Sequence, residues 1–350
     1  MKIANRMETL SPSVTMAITA LGRELKAQGK DILSFSAGEP DFDTPEIIKQ
    51  AAIKAINDGQ TKYTAVEGII ATKQAIINKL KKDHGLEYKL DGIVISNGAK
   101  HSLFNLFQVL IEEGDEVIIP APYWVTYPEQ VKFSDGVPVF IETDDSTDFK
   151  ITAEQLKAVI TPKTKILLLN TPSNPTGSVY SKEELLSLGE VLKGTDIIVL
   201  SDEMYEKIMY NGKKFTAAAE VSEDMYKRTV TINGLSKAVA MTGWRFGYIA
   251  TCDAALAKAM TKLQGQVTSN INTMTQYAAI PALEGDADET IEMMRVEFEK
   301  RKNIAVASFN AIKGLSTIDP DGAFYLFVNI KEVTNDSMKF CADLLEQKGV

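Results

Sequence analysis

Two stretches, "KILLLNTPSNPTG" (Lys165–Gly177) and "DIIVLSDEMYE" (Asp196–Glu206), decide how this chain is read. Each opens as a short apolar run without alternation and stops in polar residues, Asn170 in the first and Ser201 with Asp202 in the second. A strand that is apolar on both sides is covered on both faces, the condition of a largely parallel sheet between helices. Four more runs share this character: "GIVIS" (Gly92–Ser96), "DEVIIP" (Asp115–Pro120), "TVTIN" (Thr229–Asn233) and "FGYIAT" (Phe246–Thr251). Amphipathic stretches such as "AKHSLFNLFQVLIEEG" and "SKEELLSLGEVLKG" alternate with them and supply the covering helices. The fold class is α/β, a mostly parallel sheet sandwiched by helices.

The ends of the chain differ. "SVTMAITALGRELKAQGK" reads as a helix ending at Gly29, and "DETIEMMRVEFEKRKNIAVASFN" as a long charged helix from Asp288 to Asn310. The following "GLSTIDPDGAFYLFVNI" is expected to be a hairpin-like strand pair. At 350 residues the chain is long for one core. Residues 1–44 and 286–350 are therefore expected to form a smaller α/β domain beside a large domain of residues 45–285.

With 38 basic residues against 47 acidic ones, the net charge of -9 argues against a nucleic-acid or anionic-membrane surface. Cys252 and Cys341 stand far apart with no CxxC, which excludes a disulfide framework or zinc ribbon and fits a reducing cytoplasm. "MKIANRMETLSPS" lacks the apolar core of a signal peptide, and no run reaches bilayer-spanning length. His84 and His101 are the only histidines, and His101 is expected to ride on a helix surface. There is no G-x-G-x-x-G loop, no P-loop and no G-x-S-x-G elbow. Chemistry without histidine points to a cofactor, with no metal.

In open α/β sheets, ligands sit beyond the carboxyl ends of the strands, and here the unusual residues collect at those ends. Asn97-Gly98-Ala99-Lys100 leads from a strand into a helix, whose free N–H groups and positive dipole end suit a phosphate; a plain strand-to-helix turn is the alternative. "TPSNPTG" carries two X-Pro bonds and is either a simple rigid turn or a device that aims Asn174. Asp202 ends an apolar run, which is costly unless a cation or hydrogen bonds meet it; a helix N-cap role is the bland explanation. Lys237, after Ser236, sits in a turn of small residues, where partial desolvation lowers an ammonium pKa and makes a candidate nucleophile. A solvated surface lysine is the alternative, but it leaves Arg245, a natural phosphate or carboxylate ligand, without a reason.

The motifs "SAGEPDFDTP", "TKYTAVEG", "NGAKHSLFNL", "PAPYWVTYP", "NTPSNPTG", "SDEMYE", "INGLSKAVAMTGWRFGY" and "PDGAFY" occur together in the order found in class I aminotransferases of PLP fold type I. The chain most resembles the prokaryotic aspartate aminotransferase branch, subgroup I-beta, from its N-terminal arm to its last residue. The resemblance implies that Lys237 forms a Schiff base with pyridoxal 5'-phosphate and then shuttles a proton at the substrate Cα. Asp202 would pair with the pyridine nitrogen and keep it protonated, while Tyr205 and Asn174 would hydrogen-bond the ring hydroxyl. Trp124 would stack on the ring. Arg245, Gly98, Ala99 and Lys100 would hold the phosphate together with Tyr63 from a neighbouring subunit, implying a homodimer with shared active sites. Gly38 would let its backbone approach the substrate carboxylate.

The resemblance also implies that Lys100, Ser13 and Thr15 read the distal carboxylate of a dicarboxylic substrate, favouring aspartate with 2-oxoglutarate. Helix capping is the plain alternative for Ser13 and Thr15. Runner-up readings are an aromatic or broad-specificity aminotransferase, or one acting on glutamate and prephenate. Of a different class is a regulator that has lost catalysis, against which intact Lys237, Asp202 and Arg245 argue. Two departures stand out. Many relatives place a phosphate-binding serine where this chain has Gly234, leaving Ser236 as a partial substitute. The family's α-carboxylate arginine falls beyond Val350, so the 350-residue form is expected to retain cofactor but transaminate poorly.

Overall fold

In the computed structural model, residues 1–12 and 14–350 are described, with Val14–Met16 described in their backbone only. A single seven-stranded sheet organises them. Its strands are β1 (Ile93–Ser96), β2 (Glu116–Ala121), β3 (Val137–Glu142), β4 (Thr164–Asn170), β5 (Ile198–Asp202), β6 (Thr229–Gly234) and β7 (Gly247–Ala250). The spatial order is β1-β7-β6-β5-β4-β2-β3. Pairs within β3, β2, β4, β5 and β6 are parallel, whereas β7 runs antiparallel to both β6 and β1.

The non-alternating runs behave as double-faced strands. In β4, Ile166 and Leu168 join one apolar cluster, and Leu167 and Leu169 join another on the opposite face. In β1, Val94 packs with Leu103, Leu106 and Phe107, while Ile93 and Ile95 pack with Ile76 and Leu80. Each such side chain, fully buried, contributes about 1.5–3 kcal/mol. The helices that cover the sheet carry their own start signals. Lys182–Leu192, for example, begins with a capping box in which Ser181 and Glu184 satisfy each other's backbone N–H groups.

The terminal helices fall where the periodicity predicts them, at Val14–Ala27 and Asp288–Asn310. Leu25, Ile32 and Leu345 form a separate small cluster, and Leu33 N–H donates to the Gly349 carbonyl at 2.8 Å. The expected hairpin after Asn310 does not form as a strand pair. Only one bridge, Ser316 to Asn329, joins its two halves. The intervening "PDGA" backbone instead bonds to the sheet domain: Asp321 and Gly322 donate to Gly177, Ala323 donates to Ile208, and Tyr210 donates to Asp321. Backbone groups spent on those partners cannot also build a hairpin ladder.

Candidate active site

The antiparallel β7 is what gathers the site. Its first residue, Gly247, pairs with both Ser96 and Gly234, the last residues of β1 and β6. The chain entering β7 therefore lies at the same edge as the carboxyl ends of β1, β4, β5 and β6. Arg245, two residues before β7, is thereby brought against Gly98, and a Cβ on Gly98 would collide with the Arg245 guanidinium. Gly98 has φ +86°, a left-handed conformation that favours glycine, and it is the N-cap of helix Ala99–Leu110. A guanidinium over the open N-terminus of a twelve-residue helix is an anion cradle. Arg245 is steadied by donating to the Thr242 carbonyl at 2.8 Å.

Asp202 ends β5 and is 4% exposed. Residues 204–207 form a turn, not a helix, so the N-cap explanation does not apply. The carboxylate accepts from the Tyr127 hydroxyl at 2.8 Å and from Met204 N–H at 3.3 Å. Among the described residues no cation lies within ion-pair distance of it. Burial accordingly raises its pKa to about 6, against the opposing hydrogen bonds and the charge of Lys237. A buried carboxylate without a counter-ion is suited to a cationic ring nitrogen.

Lys237 donates from Nζ to the Gly38 carbonyl, and its amine lies 5.9 Å from the Tyr205 ring centre and 5.8 Å from that of Phe324. Burial is the largest influence on it and outweighs the attraction of Glu39 and Asp202, lowering its pKa to about 8. The solvated-surface alternative therefore fails. An amine ionising near pH 8 is half neutral there, whereas an exposed lysine, ionising near pH 10.4, is almost wholly charged. In the cofactor-free protein, modification of Lys237 by an amine-selective reagent, followed by peptide mapping, is expected to rise with pH through a midpoint near 8. A midpoint above 10 would contradict this.

The Tyr205 hydroxyl lies 2.6 Å from that of Tyr325, and the neighbouring Asn174 side chain opposes in part the upward push that burial gives its pKa. Asn174 is itself anchored by its N–H donating to Asn170 Oδ1 at 2.7 Å. Tyr325, Gly38 and Lys237 are packed together; a Cβ on Gly38 would stand 2.6 Å from the Tyr325 oxygen. Trp124 stands edge-on to Tyr127 at 5.4 Å, and the Lys100 ammonium lies 4.8 Å above the Trp124 ring. Ser236 is buried at the start of the Lys237 turn. At Gly234 a side chain is excluded, because its Cβ would meet the Phe246 carbonyl at 2.6 Å and the Gly247 Cα at 3.0 Å.

The expected residues separate into three groups. Lys237, Asp202, Tyr205, Asn174, Gly38, Gly98, Ala99, Lys100, Trp124, Ser236 and Arg245 all belong to this one edge. Tyr63 is 89% exposed and is not brought to the site within one chain. Ser13, and the side chain of Thr15, lie outside the described residues. His101 departs from expectation: it is half-buried, its Nδ1 accepts from Asn97 N–H at 3.1 Å, and its Nε2 is buried without a partner. Tyr127 and Tyr325 were not singled out from the sequence, although each stands inside a quoted motif, "PAPYWVTYP" and "PDGAFY".

The aminotransferase class I and II family model matches residues 30–350. The chain belongs to this family. It is 50% identical over 355 residues to an aspartate aminotransferase of Geobacillus stearothermophilus, covering 100% of this chain and 90% of the relative. It is 46% identical over 362 residues to an aspartate/prephenate aminotransferase of Nitrosomonas europaea, covering 100% and 91%. Among solved structures, the aspartate aminotransferase of Thermus thermophilus with maleate superposes with a TM-score of 0.95 at 38% identity, covering 99% of this chain and 90% of that one. The aminotransferase is thus a fold type I enzyme of the pyridoxal phosphate-dependent kind, acting on amino and 2-oxo acids. The donor set fits that cofactor: an anion cradle, a buried uncompensated carboxylate and a depressed lysine amine share one strand edge.

Proposed function

We propose that this aminotransferase moves the amino group of aspartate to 2-oxoglutarate by a ping-pong sequence, using Lys237 as the covalent anchor and proton carrier. The observation that carries the reading is Asp202, buried without a cation within ion-pair distance among the described residues, near a lysine whose pKa burial lowers to about 8. Pyridoxal phosphate, when bound, supplies an electrophilic carbonyl and an electron sink. The Gly98–Lys100 loop and Arg245 would hold its phosphate, and Asp202 would face its ring nitrogen and favour a proton there. Tyr205 and Asn174 would face the ring hydroxyl, and Trp124 would cover the ring. Lys237, as a neutral amine, would tether the group and carry the proton at the substrate Cα. The Gly38 carbonyl accepts from the Lys237 amine.

Aspartate is favoured as donor by the names of relatives near 50% identity and by Lys100, a cation beside Trp124 suited to a distal carboxylate. Prephenate is a second acceptor reading, supported by the Nitrosomonas relative. A half-reaction screen of the holoenzyme, following cofactor absorbance, tests both: aspartate and glutamate are expected to change the spectrum fastest, and silence with both would sink the reading. The smaller domain is proposed to comprise residues 1–44 and 286–350, and the enzyme to act in the cytoplasm. Among the described residues no helix is long and apolar enough to cross a membrane.

A homodimer with shared sites belongs to the same proposal, supported by exposed Tyr63, Phe35 and Ile70. Tyr63→Ala and Lys237→Ala homodimers, each impaired, are expected to regain up to about a quarter of wild-type activity on subunit exchange, because each hybrid holds one intact site. No recovery after verified exchange places Tyr63 in its own chain's site or in none.

A further inference from the structure

His84 is the last residue of helix Ile70–His84, and its side chain is 6% exposed. Its Nε2 lies 2.8 Å from Glu206 Oε2 and its Nδ1 3.1 Å from Glu220 Oε2. With a carboxylate on each side, both ring nitrogens donate, so the ring is an imidazolium. The other Glu206 oxygen pairs with the Lys79 ammonium, which also lies 3.4 Å from Asp83. Asp83 in turn pairs with Lys207 at 2.7 Å. Lys79, His84 and Lys207 thus balance Asp83, Glu206 and Glu220. Burial opposes the charge on His84, but the two carboxylate hydrogen bonds win and raise its pKa to about 9.

Asp83, His84 and Glu206 offer ligand atoms within 4.8 Å of one another, a spacing a metal ion could use. Lys79 already occupies the oxygens such an ion needs, and both nitrogens of His84 are spent. The place of the cluster in the fold gives it a different role. Glu206 follows Tyr205 directly and lies in the tight turn after β5, closed by Glu206 N–H to Glu203 carbonyl at 3.1 Å and Ile208 N–H to Tyr205 carbonyl at 2.8 Å. Met204 N–H in the same turn donates to Asp202 Oδ1 at 3.3 Å, so the turn joins Glu206 to both Asp202 and Tyr205.

We propose that His84 is a positioning residue for the cofactor site: by clamping Glu206 to Glu220, it holds the 202–206 turn so that Asp202 and Tyr205 face Lys237 correctly. This inference rests on the assignment of Asp202 and Tyr205 to the cofactor ring. The groups that set the charge of His84 are Lys79 and Asp83 on its own helix, Glu203, Glu206 and Lys207 in the turn, and Glu220, with the Phe215 ring edge-on at 5.6 Å.

The test uses holoenzyme carrying His84→Gln or Glu220→Gln. Cofactor Kd is measured by absorbance, and kcat and KM for aspartate are followed from pH 6 to 10. At pH 7, H84Q is expected to raise cofactor Kd and lower kcat about tenfold each, the size of one lost charged hydrogen bond, with KM for aspartate within about twofold. The gap is expected to close above pH 9, where the wild-type ring loses its proton. E220Q shifts both in the same direction by less, and carries the test alone if H84Q does not fold. H84Q matching wild type at every pH, or a loss that persists undiminished at pH 10, overturns the proposal. So does zinc that raises the Tm of wild type but not of H84Q. Asp202→Asn losing cofactor while H84Q keeps it overturns this inference alone; both keeping it overturns the underlying assignment as well.

Discussion

Replacing Lys237 with alanine is expected to leave a folded protein whose transamination is slower by about 10⁴-fold or more, the size of lost nucleophilic and acid–base catalysis together. Folding should survive because the lysine is buried against its charge: the fold lowers its pKa from the usual 10.5 to about 8, so its ammonium is not a stabilising group. The sign follows from that direction. Stability withheld by the charged amine returns as pH rises through the folded pKa, and K237A lacks that dependence. Turnover with aspartate and 2-oxoglutarate, measured beside circular dichroism, checks both halves. A folded K237A variant within about tenfold of wild type would remove the lysine from the mechanism.

Asp202→Asn is expected to follow, with kcat lower by about 10²–10³-fold, the loss seen when a preorganised charge partner is removed. Asparagine keeps the volume and can still accept from Tyr127, so the packing of a strand end that is 4% exposed is preserved. What it lacks is the negative charge proposed to keep a proton on the ring nitrogen. Asp202→Glu restores the charge in the wrong place and should recover part of the rate. If D202N stays within tenfold of wild type, the charge is not what matters there.

Both residues were legible without coordinates because each breaks a local pattern. Asp202 interrupts an apolar run at the strand end, and Lys237 stands in a turn of small residues that gives it no local partner. Tyr127 and Tyr325 break no pattern, since a tyrosine beside apolar residues is ordinary. Their hydroxyls matter only because they reach Asp202 across 75 positions and Tyr205 across 120. His84 is similar: the sequence shows it only as one of two histidines, and its partners lie 122 and 136 positions away.

The misread hairpin has the same origin. The stretch around Asp319–Gly322 carries turn residues, and local chemistry alone predicts that the flanking segments pair with each other. Competing partners at Gly177, Ile208 and Tyr210 win because the sheet brings them within hydrogen-bonding reach. Gly234 marks the opposite case. A serine there looked like a missing ligand, but the approach of Phe246 and Gly247 leaves no room for any side chain.

By itself, the sequence determined the sheet class and the helices at Val14–Ala27 and Asp288–Asn310, and it marked Lys237, Asp202 and Arg245 as candidates. The sheet and helices follow from periodicity, a local quantity, and the candidates from unusual polar residues read together with the family resemblance. Only the tertiary structure decided that β7 runs antiparallel and so delivers Arg245 to Gly98, that Asp202 has no counter-ion among the described residues, and that His84 bridges two carboxylates. Those depend on which distant backbones share an edge, and on burial that no single segment carries in its own residues.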